Sequence, residues 1–142
     1  MINILFLCTG NSCRSQMAEG WAKTLLSNEY AVYSAGIEAH GLNPNAVLVM
    51  QESGIDISQQ QSQLISDLPE ISWDIIITVC DSANERCPYI PGNHLYIHQS
   101  FDDPPSLAKD IADHLGLEIY RRVRDEIKEY IQHIPSLLLE KK

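Results

Sequence analysis

The sequence predicts an α/β fold: a four-stranded parallel sheet flanked by helices on both faces. Three observations carry this expectation. Short apolar, β-prone runs alternate with segments of helical periodicity in the order β-α-β-α-β-α-β-α, the pattern of crossover connections in a parallel sheet. The run Trp73-Asp74-Ile75-Ile76-Ile77-Thr78-Val79 is apolar enough for a strand at the centre of that sheet. No internal repeat, low-complexity tract or linker divides the 142 residues, so they are expected to form one domain over 1–142.

Each element has its own signal. Residues 2–7, Ile-Asn-Ile-Leu-Phe-Leu, read as a buried strand. Residues 15–27 read as a helix with Met17, Trp21, Ala22, Leu25 and Leu26 near one face. Residues 30–34 give a short second strand closed by Ala35-Gly36. Asn43-Pro44 opens a helix that carries Ala46, Val47, Val49 and Met50 and ends at Gly54. The run 73–79 is the third strand and Leu95-Tyr96-Ile97 the fourth. The last helix is expected over about 117–133, with Ile119, Tyr120, Val123, Ile127 and Ile131 at helical spacing.

Composition excludes several function classes. The chain is 44% apolar and 20% charged, ordinary for a globular protein. Its formal net charge of -9 disfavours nucleic acid as a partner, because a phosphate backbone demands a basic patch. The first apolar run is far shorter than the ~18 residues of a membrane span, and no basic region precedes it, so no membrane association is expected and the cytoplasm is the expected location. Four cysteines are too few and too unevenly placed for a disulfide scaffold. Their spacings, 8/13 and 80/87, do not match a zinc site. No long apolar stripe is left over once the core is assigned, so a monomer is expected. The five histidines, His40, His94, His98, His114 and His133, have no constellation around them in the sequence and read as structural or surface residues.

The chemistry concentrates in Cys8-Thr9-Gly10-Asn11-Ser12-Cys13-Arg14-Ser15, at a strand-to-helix turn. A thiol, five residues and an arginine let successive N–H groups curl inward as a nest for a tetrahedral oxyanion. Gly10 and Asn11 tolerate the positive φ such a curl needs. The following helix N-terminus adds positive potential, and Arg14 offers a planar fork for two oxygens. That field is expected to lower the Cys8 thiol pKa and supply a thiolate nucleophile. The Ser15 hydroxyl is placed to donate to that thiolate. Cys13 is either a redox partner of Cys8 or a small packing residue under the helix, and packing is the favoured reading.

Two further features accompany the loop. Phe101-Asp102-Asp103-Pro104-Pro105 is a stiff acidic turn. Asp103 suits either a general acid that protonates a departing oxygen or, with Asp102, a cap for a helix starting near Ser106. Cys80 and Cys87 lie seven residues apart. A helical segment between them would hold them about 10 Å apart, beyond the ~7 Å Cα limit of a disulfide, so a bond between them requires that segment to unwind or loop. Ligands of parallel sheets bind beyond the carboxyl ends of the strands. Cys8 ends the first strand, Cys80 ends the third and Asp103 follows the fourth, so all three are expected at one edge.

These residues resemble the arsenate reductases that have a low-molecular-weight protein tyrosine phosphatase fold. The likeness runs from Cys8 through Gly20, then through Ser34-Ala35-Gly36-Ile37, His40-Gly41, Asn43-Pro44, Asp56-Ile57-Ser58, the Cys80/Cys87 pair and Asp103-Pro104. It implies a three-thiol relay. Cys8 attacks arsenate held by residues 9–14, including Thr9, Gly10, Asn11, Ser12, Cys13 and Arg14, while Asp103 protonates the leaving oxygen. Cys80 then displaces arsenite from Cys8, and Cys87 attacks Cys80 to form a disulfide presented to thioredoxin. No organic cofactor is implied. Phosphate and sulfate are expected as arsenate analogues.

The resemblance also implies a potassium ion behind the loop, at Asn11, Glu19 and Ser34. The family's acidic ligand is Gln63 in this chain, which removes a charge from that set. The aromatic-Gly-Phe that usually precedes the acid reads Gln99-Ser100-Phe101. Two rival readings remain. A phosphotyrosine phosphatase would use Cys8, Arg14 and Asp103 without Cys80 or Cys87, but Pro104-Pro105-Ser106 follows the acid where such enzymes carry aromatic residues. A noncatalytic oxyanion sensor or phosphoryl carrier would leave Arg14 and the thiol pair unexplained. A glutathione/glutaredoxin route is the alternative to thioredoxin as electron donor.

Overall fold

Strands β1 (Ile2–Cys8), β2 (Tyr30–Gly36), β3 (Ile75–Thr78) and β4 (Leu95–His98) form one parallel sheet in the order β2-β1-β3-β4. They come from a computed structural model that describes residues 1–81, 90, 92 and 94–141, with side chains as far as 137. The helices among these residues are α1 (Arg14–Leu25), α2 (Pro44–Glu52), α3 (Pro104–Ala108) and α4 (Asp113–Lys141), with a 3-10 turn at Ile65–Asp67. None of the described helices is long and apolar enough to cross a membrane.

The two central strands explain their own sequences. Ile4, Leu5, Phe6 and Leu7 of β1 and Ile75, Ile76 and Ile77 of β3 are buried whichever way they point, so neither strand alternates with polar residues. Truncating any one of these side chains to Ala would cost about 2–5 kcal/mol. The edge strand β4 does alternate: Leu95 and Ile97 are half-buried while Tyr96 and His98 stand toward the outside.

Helix boundaries follow local chemistry. The Asn43 side chain accepts from the N–H groups of Asn45 at 2.8 Å and Ala46 at 3.1 Å, and Pro44 occupies the first turn of α2, where no N–H is needed. Gly54, at φ +82, takes the left-handed turn that closes this helix. In α1, Met17, Trp21 and Ala22 face the core as the periodicity predicts, joined by Ala18, but Leu25 is exposed because the helix ends there. Trp21 Nε1 donates to the Arg124 carbonyl at 3.1 Å and ties α1 to α4. Strand β2 runs on through Ala35 and Gly36 rather than stopping at Ser34, because its pairing with β1 continues to Cys8↔Gly36.

The last helix is longer at both ends than its periodicity implied. Asp113 favours its first turn through the helix dipole. At the other end the helix continues through Pro135, with buried Ile131 and Ile134 holding the turn before the missing N–H to the core.

Candidate active site

The strand order places the site. From β1 the chain turns to β2 on one side, while β3 lies on the other, so the crevice of the sheet opens beyond the ends of β1 and β3. Cys8 is the last residue of β1, and Cys80 follows β3 by two residues. Pairing continues one step beyond β3, with Val79 N–H donating to the Leu7 carbonyl at 2.8 Å. Two thiols far apart in sequence thereby arrive side by side.

The loop after Cys8 is held from outside. The carbonyls of Cys8, Thr9, Gly10 and Ser12 accept from the N–H groups of Ile37, Glu38, His40 and Asn43, at 3.3, 2.8, 2.9 and 3.0 Å. The Asn11 carbonyl accepts from Gln16 Nε2 at 3.0 Å. With five successive carbonyls turned outward, the trans peptide geometry turns the loop's N–H groups inward, which is the nest the sequence predicts. Asn11 takes φ 46 to complete the curl. Its side chain fixes the loop from beneath: Nδ2 donates to Ser15 Oγ at 2.8 Å and Ser34 Oγ at 3.0 Å, and Oδ1 accepts from Gln63 N–H at 2.8 Å. Cys13 stands at the N-cap of α1 without a side-chain capping bond, so the helix begins open toward the nest.

Cys8 and Cys80 are 4% and 2% exposed, and their side chains hydrogen-bond to each other. Thr9 Oγ1 lies 3.2 Å from Cys80 Sγ. The expected lowering of the Cys8 thiol pKa is not what the structure gives. The neighbouring Cys80 sulfur, then burial, push the Cys8 thiol up, against the lowering effects of Arg14 and of the Ser15 N–H bonded to it. The loop's field is present but is outweighed, because two adjacent buried sulfurs tolerate one negative charge and not two. Ser15 thus serves Cys8 through its backbone N–H, while its hydroxyl accepts from Asn11.

Arg14 and Asp103 close the other wall. Arg14, whose side chain is 12% exposed, donates from Nη1 to the Phe101 carbonyl at 3.0 Å and brings Nη2 to 3.5 Å from Asp103 Oδ1. Its Nε is buried with no protein acceptor among the described residues, which leaves a donor for an oxyanion in the loop. Asp103 occupies the N-cap position of α3 but makes no side-chain bond to the helix backbone. Pro104 and Pro105 supply no N–H there, and the carboxylate accepts instead from the Ser106 hydroxyl at 2.7 Å. The helix starts at Pro104, two residues before the expected Ser106, and its cap residue keeps an oxygen turned toward Arg14. Phe101 anchors this wall edge-to-face on Tyr130, with ring centroids 6.0 Å apart.

Cys8, Thr9, Gly10, Ser12, Cys13, Arg14, Cys80 and Asp103 line one cleft of about 660 Å³. Cys13 reaches it as a buried neighbour whose thiol is pushed up to about 12, chiefly by burial, which favours the packing reading over a redox one. Cys87 and the rest of 82–89 lie outside the described residues, so the second half of the thiol pair has no structural description.

The candidate cation residues do come together, but hydrogen-bond donors already occupy their oxygens. Ser34 Oγ donates to Glu19 Oε1 and accepts from Asn11 Nδ2. Glu19 Oε2 accepts from Lys23 Nζ, one helical turn on. Gln63 Nε2 donates to the Ser34 carbonyl at 3.1 Å. An alkali cation needs free oxygens, and this arrangement does not fit one.

Sequence reading missed several residues of the cleft. His40 packs its ring on Gly10 so closely that a Cβ there would collide with Nδ1. His98 and Asp81 form a pair at the Cys80 end, so His98 does sit in a constellation. No spacing rule brings residues 17 apart to one point; the parallel register of β3 with β4 does.

The chain and its fold have close counterparts. A model of the family described as low molecular weight phosphotyrosine protein phosphatase matches residues 3–142. The chain is 52% identical over 129 residues to a protein of Halalkalibacterium halodurans named arsenate reductase, covering 91% of each. It is 52% identical over 124 residues to the Bacillus subtilis protein of the same name, covering 87% of this chain and 88% of that one. Among solved structures, an arsenate reductase in oxidized state superposes with a TM-score of 0.78 at 33% identity, covering 94% of this chain and 96% of that one. An arsenate reductase in the phosphate binding state superposes with a TM-score of 0.75 at 35% identity over the same shares.

Proposed function

The chain belongs to the low molecular weight phosphotyrosine protein phosphatase family, and within it we propose that it is an arsenate reductase working through Cys8, Cys80 and Cys87. The observation that carries this reading is the second thiol. A phosphatase needs the nest, Cys8, Arg14 and Asp103, but has no use for a buried Cys80 hydrogen-bonded to its nucleophile.

In the proposed reaction arsenate enters the nest, held by the loop N–H groups and the Arg14 fork. The pair of sulfurs shares one negative charge, and the form with that charge on Cys8 attacks arsenic. One arsenate oxygen leaves as water, with its proton from Asp103. Cys80 then attacks the Cys8 sulfur. The electron pair of the sulfur–arsenic bond passes to arsenic, which is reduced from the pentavalent to the trivalent state and departs as arsenite. Cys8 and Cys80 are left as a disulfide. Cys87 attacks Cys80, freeing Cys8, and the Cys80–Cys87 disulfide is reduced by a dithiol donor, for which thioredoxin is proposed. Overall, arsenate and two thiols give arsenite, one disulfide and one water.

The scheme needs no organic cofactor and routes no step through a metal ion. Lys23 supplies the positive charge beside Glu19, so potassium is proposed to have no role in this chain. A monomer working in the reducing cytoplasm fits the same proposal.

The test is a coupled assay with arsenate, thioredoxin, thioredoxin reductase and NADPH. Cys8→Ser, Cys80→Ser and Cys87→Ser are each expected to abolish NADPH consumption. Hydrolysis of an aryl phosphate that survives Cys80→Ser, with no arsenate turnover in the wild type, would replace this reading by the phosphatase one.

A further inference from the structure

We propose that His98 is a positioning residue for Cys80, pinning the residue after it so that the second thiol stays within reach of the first; this rests on the reductase reading. The tails of β3 and β4 run together beyond the sheet. Gln99 N–H donates to the Thr78 carbonyl at 2.8 Å and Phe101 N–H to the Val79 carbonyl at 3.1 Å. Past Val79 the contacts between the tails among the described residues pass to side chains. His98 Nε2 lies 2.9 Å from Asp81 Oδ1, and the Ser100 side chain also hydrogen-bonds to Asp81. On the other side of the ring, His98 Nδ1 lies 2.8 Å from Oγ1 of the fully buried Thr78.

A carboxylate only accepts, so Nε2–H is the donor to Asp81, and Nδ1 then accepts from the Thr78 hydroxyl in the neutral ring. A rigid imidazole thus spans from a fixed strand residue to the residue directly after Cys80. Cys80 is held between this bracket and the Thr9 hydroxyl on the nest side.

A hydrogen bond between side chains this open to solvent adds little to global stability, and Asp81 is 75% exposed. Its proposed effect is local. Sulfur attack on sulfur needs an aligned approach, and a displacement of about 1 Å from a remote change can cost on the order of 10²-fold in rate. The relay makes two demands on Cys80: first to stay against Cys8, then to accept attack from Cys87. A bracket of exposed side chains meets the first and releases at low cost for the second, which backbone pairing would not do.

The experiment uses the full chain with Cys87→Ser, so that the relay stops at the Cys8–Cys80 disulfide. Reduced protein is mixed anaerobically with excess arsenate, and free thiols are counted against time; two of the three remaining thiols should disappear. His98→Ala is expected to slow that loss about tenfold, with the half-saturating arsenate concentration unchanged. His98→Gln, whose amide nitrogen reaches the Nε2 position, should recover much of the rate. Asp81→Ala should slow it to a similar degree, and the double variant His98→Ala/Asp81→Ala no further. An unchanged rate in His98→Ala overturns the proposal. A rate loss matched by a rise in half-saturating arsenate also overturns it, since that would mean general damage to the cleft. If arsenate consumes no thiols in the parent, the reductase reading itself falls, and this one with it.

Discussion

Around Cys8 every carbonyl from Cys8 to Ser12 has a donor from outside the nest, four of them backbone N–H groups, and the side chain beneath, Asn11, is fully buried with three partners. Around Cys80 the described backbone pairing to the neighbouring strands ends at Val79, and Asp81, the residue after Cys80, is bonded by two side chains, His98 and Ser100. The two thiols are neighbours, yet one sits in a frame built from main chain and the other stands before a residue tied by side chains. The difference matches their proposed duties. The nucleophile must meet a tetrahedral ion at a fixed place, which calls for donors positioned before the ion arrives. The second thiol must change partners once per cycle, which calls for a tether that costs little to undo.

Breaking the rigid side should have the largest effect. Arg14→Lys keeps the charge but loses the planar fork and the Nε donor, and kcat/KM for arsenate is expected to fall about 10²-fold or more. Steady-state kinetics read this directly; a fall below threefold would mean that the nest alone binds the ion. Next comes Gly36→Ala. Its Cβ would collide with the Glu38 carbonyl and lie 2.8 Å from Asn11 N and 2.9 Å from the Thr9 carbonyl oxygen, all main-chain atoms with no room to yield. A loss of about 3 kcal/mol in urea unfolding is expected.

On the tethered side, Thr9→Val removes the hydroxyl beside Cys80 with little change of shape. It is expected to cost about 1 kcal/mol in the Cys8–Cys80 step, roughly a fivefold slowing, with unfolding little changed. The contrast sharpens at alkaline pH. The Cys13 thiol, raised from 9.0 to about 12, keeps its proton in the fold while the unfolded chain loses it, so this contribution to stability is complete below pH 9 and lost as pH rises toward 12. Cys13→Ala should therefore show a shallower decline in Tm above pH 9 than the wild type. The smallest effect is expected from salt identity. With Lys23 already on Glu19, KCl and NaCl at equal ionic strength should give the same Tm and the same arsenate turnover. A potassium-specific rise in Tm would show that Lys23 yields its place.

Much of this was legible in the sequence, for reasons that can be named. Ile75, Ile76 and Ile77 announce a strand covered on both faces, and the run from Cys8 to Ser15 carries its fork in Arg14 and its curl in Asn11, whereas Gly10, expected to share that curl, keeps a negative φ and makes room for His40. What escaped depends on long-range register. The N–H groups of Ile37, Glu38, His40 and Asn43 leave no mark in residue identity, because every residue but proline has one. His98 meets Asp81 and Thr78 only once β4 lies parallel to β3. The sign of the Cys8 shift was misread because the sequence shows the lowering groups, Arg14 and the helix start, beside the thiol and the opposing one, Cys80, 72 residues away. Asp103 was ambiguous because a cap and an acid take the same residue type; Pro105 removes one of the two backbone donors a cap would use, and the carboxylate takes the Ser106 hydroxyl rather than the other.

The strap from Ile37 to Asn43 grips the nest by amide hydrogens rather than by side chains. The grip itself is therefore indifferent to which side chain stands at 37 or 38, while His40 and Asn43 carry further duties, one against Gly10 and the other at the start of α2. The exception is an imino acid: proline at 37, 38 or 40 would delete a rung and let one carbonyl swing back into the cup, turning an anion receptor toward the opposite charge.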